Sequence, residues 1–124
     1  MTIEELYKAI GGDYEKALSV LRIEKLIDKH IRKFPKSGVI DPLIAAAETM
    51  DNTALFEAAH AIKGVCSNLG LVAFVELASQ ISEEYRPGNT RKFSDGEVKE
   101  KIGQIEALYQ NAVKLIGEYE VASV

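Results

Sequence analysis

His60, Lys63, Gly64, Ser67 and Asn68 lie close together in the chain, and residues of these types at these spacings could handle an anionic group. A neutral imidazole is a nucleophile near neutral pH without help from a second base. One of its ring nitrogens can attack a phosphoryl group and form a phosphoramidate, a bond labile enough to hand the group on. Lys63 stands at i+3, on the neighbouring line of the same helical face, where an ammonium can pair with phosphoryl oxygens. By its type alone it is an ordinary solvated lysine. Gly64 says more, because glycine inside a helix costs roughly 1 kcal/mol relative to alanine. Helical side chains lean toward the N-terminus, so a larger residue at 64 would cover the patch near 60. Glycine leaves that patch open; the competing reading is a close helix contact at Gly64. Asn68 suits a cap and Ser67 a plain surface position. Phe56, one turn before His60, either packs under the N-terminal helices or stands as an apolar anchor for a partner.

The element that must position these groups is the run from Asn52 to Gly70. Leu55, Ala58, Ile62, Val65 and Leu69 recur at steps of three and four, the seam of an amphipathic helix in a bundle. At roughly 100° per residue, His60 falls opposite this seam and is expected to face water. Cys66 borders the seam and reads as a small buried hydrophobe. His30 is the other histidine. Leu26 and Phe34 share its helix edge and no glycine is near, so it reads as a boundary residue. Two histidines and one cysteine have no spacing suited to structural zinc. No glycine-rich phosphate loop, Walker lysine or paired nucleophile motif is present. The chain thus has no visible means of binding ATP or catalysing by itself.

The rest of the chain reads as helices and turns. Thr2 with Glu5 forms a capping box for a first helix that stops at Gly11-Gly12. Asp13 caps a second, through about Leu21. Ile23, Leu26, Ile27, Ile31 and Phe34 share one face of a third, which Pro35 ends. Asp41-Pro42 reads as an N-cap with proline at the first helical position, and Leu43, Ala47 and Met50 line the helix that follows. Asp51 or Asn52 caps the His60 helix, and Gly70 ends it. Leu71, Phe74, Ala78, Ile81 and Tyr85 form the next seam, broken by Pro87-Gly88-Asn89. A second capping box, Ser94 with Glu97, opens a last helix with Val98, Ile102, Ile105, Tyr109, Ala112, Ile116 and Tyr119 on one side. Seam-spaced helices joined by short turns predict an all-α fold: an antiparallel up-down four-helix bundle with additional short N-terminal helices. The fourth wall comes from the helix after Asp41 or from the Arg22 to Phe34 helix.

A chain of 124 residues is expected to form one domain over 1–124. Hydrophobic residues at 47% suffice for a core, and a net charge of −4 argues against nucleic acid or an anionic membrane as partner. The lone cysteine fits a reducing compartment. No run approaches the ~20 apolar residues of a membrane span, and the acidic start lacks a signal-peptide pattern. The expected location is the cytoplasm. The initial methionine and the helical ends read as a free-standing unit, and the short helices favour a monomer.

His60-Ala61-Ile62-Lys63-Gly64, followed by Asn68-Leu69-Gly70 and preceded by Ala58-Ala59, resembles the histidine-containing phosphotransfer (HPt) domains of His-Asp phosphorelays. Their signature is His-x-x-Lys-Gly inside a bundle helix, often with Leu-Gly after it. The likeness covers roughly residues 23–85; the ends agree in helical character only. It implies that His60 exchanges a phosphoryl group with an aspartate of a response-regulator receiver domain or a hybrid histidine kinase. Lys63 would stabilise the phosphorylated form, Gly64 would open access, and the partner would cover Phe56, Ser67 and Asn68. No cofactor is implied for this chain, since the receiver brings the Mg²⁺ and the acidic site. Leu71 departs from the alanine common after Leu-Gly. Many members also place a glutamine on the following helix near the histidine; Ser82, or Gln80 in a shifted register, is the candidate here. The alternative is an adaptor bundle that docks receiver or kinase domains without carrying phosphate.

Overall fold

The computed structural model describes residues 1–122, which form seven α-helices and one 3-10 turn, with no strand among the described residues. Helix α1 spans Ile3–Ala9, α2 Tyr14–Leu21, α3 Glu24–Lys33, α4 Asp41–Thr49, α5 Asn52–Asn68, α6 Val72–Tyr85 and α7 Asp95–Ala122; the 3-10 turn is Phe34–Lys36. Local chemistry sets most boundaries. Thr2 and Glu5 form a reciprocal capping box, and Asp13 and Asp51 accept from Lys16 N–H and Ala54 N–H. The Ser94–Glu97 box opens α7, with bonds of 3.0 and 3.1 Å. Between α2 and α3, Arg22 adopts φ 75° in a tight turn closed by Ile23 N–H to the Leu21 carbonyl. That conformation is strained for a residue with a Cβ.

Helices α5 and α6 form the most extensive packing, as a hairpin turning at Leu69–Leu71. Helices α4, α5, α6 and α7 each contact the next, and α4 returns to α7, closing a four-membered bundle. The fourth wall is therefore α4, while α1 and α3 pack on α7 and α2 on α5. The core holds Leu6, Tyr7, Ile27, Ile31, Phe34, Leu55, Ile62, Phe74, Ile81 and Ile105, all essentially removed from water. Phe34 meets Phe74 and Tyr109 edge-on, each 5.5 Å between ring centroids.

The hairpin turn is pinned to the N-terminal helices. Asp13 N–H donates to the Gly70 carbonyl (2.7 Å), Ala73 N–H to the Gly11 carbonyl (3.0 Å) and Tyr7 O–H to the Leu69 carbonyl (2.8 Å). Gly70 has φ 69°, and a Cβ there would lie 2.6 Å from the Asp13 carbonyl oxygen, so backbone approach as well as conformation requires glycine.

Three expectations from the spacing need correction. Val65, assigned to the seam of α5, is 38% exposed, and Ala59 and Cys66 are buried instead. Ile23 and Leu26, assigned to the inner face of α3, are 52% and 37% exposed; Ile23 only caps that helix, and Ile27, Ile31 and Phe34 fill the inward stripe. Asp41 is not the N-cap of α4 but its first residue, after Ile40, which makes no side-chain cap bond.

Candidate functional site

Helix α5 presents two unlike faces because small residues line the inner one. Leu55, Ala58, Ala59, Ile62 and Cys66 are buried between neighbouring helices. Ala59 and Cys66, lacking bulk, let those helices approach. Burial pushes the Cys66 thiol up to about 12, so it stays a neutral packing group. About 160° from the Ile62 line, by helical periodicity, His60 is exposed. Its ring makes no hydrogen bond or ion pair among the described residues and stacks on Phe56, with 5.7 Å between ring centroids and 20° between ring planes.

Gly64 is also exposed, and a Cβ built on it would meet nothing within 4 Å. The reading of Gly64 as a close helix contact therefore fails. Lys63 is half-buried at the edge of the same face and makes no ion pair within 4 Å among the described residues. Ser67 and Asn68 are exposed toward the end of α5, and neither side chain bonds another described residue.

The face splits into two flanks. Phe56 leans toward α6, not under the N-terminal helices, and the Arg86 guanidinium lies 5.7 Å over its ring. Lys63 falls on the same flank. On the other flank, Val65 and Asn68 border a groove of about 490 Å³ whose far wall is Val20, Leu21, His30 and Lys33. His30 is exposed there, on α3. His60, Lys63 and Gly64 thus stand together, Phe56 beside them, while Asn68 belongs to the groove.

Neither expected helper on α6 hydrogen-bonds His60. Gln80 accepts from Lys101 Nζ of α7 at 2.7 Å, on the side away from α5's outer face. Ser82 is fully buried, and its hydroxyl has no hydrogen-bond partner among the described residues. Their places on the α6 cylinder explain this: the turn bordering Phe56 instead carries Glu83 and Arg86, which spacing from the histidine alone does not reveal. Arg86 binds Glu83 through Nη2 (2.6 Å) and Nε (3.0 Å). The signal available in the sequence was the i, i+3 opposite-charge pair at the end of a helix antiparallel to α5.

Below this pair, Glu84 points inward and anchors the loop to α7. Its carboxylate accepts from Arg91 Nε (2.7 Å), Phe93 N–H (2.8 Å) and Lys92 N–H (3.0 Å). Among the described residues, no group of three or more His, Cys, Asp or Glu side chains is placed to hold a metal ion. No helix there is long and apolar enough to cross a membrane.

No curated protein and no solved structure matches the chain significantly. The family model described as "Hpt domain" matches residues 13–113, which include all of α2 to α6 and most of α7. An exposed histidine on a bundle helix, an open glycine one turn on and this match agree, and the chain belongs to the Hpt domain family, whose members carry phosphoryl groups in His-Asp phosphorelays.

Proposed function

We propose that the protein is a phosphorelay intermediate and that His60 is its phosphoryl acceptor. The observation that carries this is the uncovered ring: His60 is exposed, unbonded, and flanked by the open space over Gly64. In the forward step a ring nitrogen attacks the phosphorus of an aspartyl phosphate on a receiver domain. The N–P bond forms, the acyl P–O bond breaks, and the receiver's carboxylate leaves with the electron pair. The reverse step returns the group to a carboxylate and the electron pair to the ring. Lys63 pairs with the phosphoryl oxygens, and Gly64 keeps the approach clear.

The receiver, free or in a hybrid histidine kinase, supplies the acidic site and the Mg²⁺; this chain contributes no cofactor and acts as a carrier rather than an enzyme. The partner covers Ala61, Gly64, Val65, Ser67 and Asn68 and extends over the groove toward α2 and α3. Apolar Val20 and Val65 offer contact area there, and Lys33 and His30 on its rim suit an acidic partner. The setting is cytoplasmic and the carrier works as a monomer.

The test is incubation with receivers charged by acetyl phosphate. The wild-type chain is expected to gain acid-labile, base-stable phosphate. His60→Gln is expected to keep the wild-type melting temperature, since an exposed ring is lost, and to gain none. Phosphate of that type on the variant would overturn the assignment. A wild-type chain that binds receivers without being labelled would make it an adaptor.

A further inference from the structure

We propose that Glu83, tied to Arg86 on the α6 flank of His60, limits how long a phosphoryl group stays on the ring. This rests on the phosphocarrier reading above and concerns the charge around the carrier, which that reading leaves open. The arrangement is a connected rank of side chains: His60 stacks on Phe56, Arg86 lies over Phe56, and Arg86 grips Glu83. Asn89 holds Glu83 from the loop side, donating to its carbonyl at 2.9 Å and to its carboxylate at 3.4 Å. Arg86 above all, then the Asn89 hydrogen bond and, least, the Lys63 charge hold the Glu83 carboxyl below the usual carboxylate range. The charged groups of this rank are thus Glu83 near the end of α6 and Arg86 at its C-cap, with Lys63 acting on Glu83 from α5. Arg91, the next cation along the loop, is turned to Glu84 and Asp95.

A phosphoryl group brings up to two negative charges to this rank. Glu83 repels them and competes for Lys63, while Arg86 offsets Glu83. Loss of the group to water places a water oxygen on phosphorus and breaks the N–P bond. The electron pair stays on the ring nitrogen, and inorganic phosphate leaves. Its negative charge departs from the flank that carries Glu83, so repulsion by Glu83 favours that loss.

Charge removal at the two members of the pair has opposite signs. Glu83→Gln frees Arg86 and Lys63 for the phosphoryl group and lengthens its lifetime. Arg86→Gln removes the main charge opposing the carboxylate and shortens it. A purely structural tie gives the same sign for both, because both variants break the same bond.

Phosphoramidate is the phosphoryl donor for the experiment, which makes it independent of any receiver. The ring nitrogen attacks its phosphorus and ammonia leaves. Phosphorus NMR then follows the phosphohistidine resonance that is absent from His60→Gln. The expected change is about threefold in lifetime in each direction at low salt, shrinking as salt screens the exposed groups. The double variant is expected near wild type. Glu118→Gln, which alters the net charge on an exposed part of α7, is expected to change nothing. Equal lifetimes in both single variants, or shifts of the same sign, would overturn the role of Glu83 and leave the carrier standing. A wild-type chain that gains no phosphate at His60 would remove the carrier itself.

Discussion

At the scale of single residues, Gly64 separates local stability from access. Nothing in the packing requires glycine there, since a Cβ would meet only solvent. Gly64→Ala is therefore expected to stabilise the fold by about 0.5–1 kcal/mol in urea titration. Gly64→Gln is expected to fold as well but to slow phosphoryl exchange with a charged receiver at least tenfold. Gly103 on α7 has the same open surroundings and supplies the comparison. Gly103→Ala should match the stabilisation and Gly103→Gln should leave exchange untouched, so a helical glycine in open space marks a site only beside groups such as His60 and Lys63. Unimpaired exchange in Gly64→Gln would remove access as the reason for the glycine. Cys66, two positions further on, is a residue of the opposite kind, neutral and sealed. Its thiol is expected to react with a disulfide reagent at pH 8 only in step with global unfolding; native-state labelling at the rate of a free thiol would show that α5 opens locally.

At the scale of elements, what was legible followed from short-range chemistry. Capping boxes at Thr2 and Ser94, the caps at Asp13 and Asp51, and the glycine at the α5–α6 turn stand where side-chain reach and backbone freedom put them. The phase of α5 was readable at Ile62 but not at its margins. Val65 and Ala59 lie about 60° to either side of the Ile62 line, and hydrophobicity favours valine. The deciding factor is where α6 and α4 press on the cylinder, and there the small Ala59 fits. The same limit hid Glu83 and Arg86, whose place beside Phe56 depends on how α6 is rotated against α5. Glu84 shows what such placement does for stability. Burial raises its carboxyl, but Arg91 and the Lys92 and Phe93 amides more than offset this and hold it below the usual range. A carboxyl lowered in the folded state stabilises the fold above its unfolded value and loses that contribution as pH falls through the folded one. Glu84→Gln is expected to cost about 2 kcal/mol at pH 7 and to lose less stability than wild type between pH 5 and 3 in urea titration. Parallel pH profiles would show that the loop does not depend on this charge.

At the scale of the whole molecule, the described residues divide into the α5–α6 hairpin that presents His60 and the helices that hold it. The bundle ring of α4 to α7 sets which face of α5 is dry, and α2 with α3 builds the groove beside the wet one. The three bonds from Tyr7, Asp13 and the Gly11 carbonyl to the hairpin turn carry a consequence for where the molecule ends as a cooperative object. The family match begins at residue 13, but Ile3, Leu6, Tyr7 and Ile10 lie in the same interior as Leu71 and Phe74. A version that begins at residue 13 would leave the Leu69 carbonyl without its phenol and strip four large apolar side chains from their cavity. Each such loss is worth about 2–5 kcal/mol. Calorimetry of that shortened chain is expected to show no sharp transition at 25 °C or above, and a sharp one would mean that the leading helix is merely an ornament on an autonomous hairpin. With no sharp transition, the recognisable motif and the smallest piece that stays folded are different lengths of polypeptide.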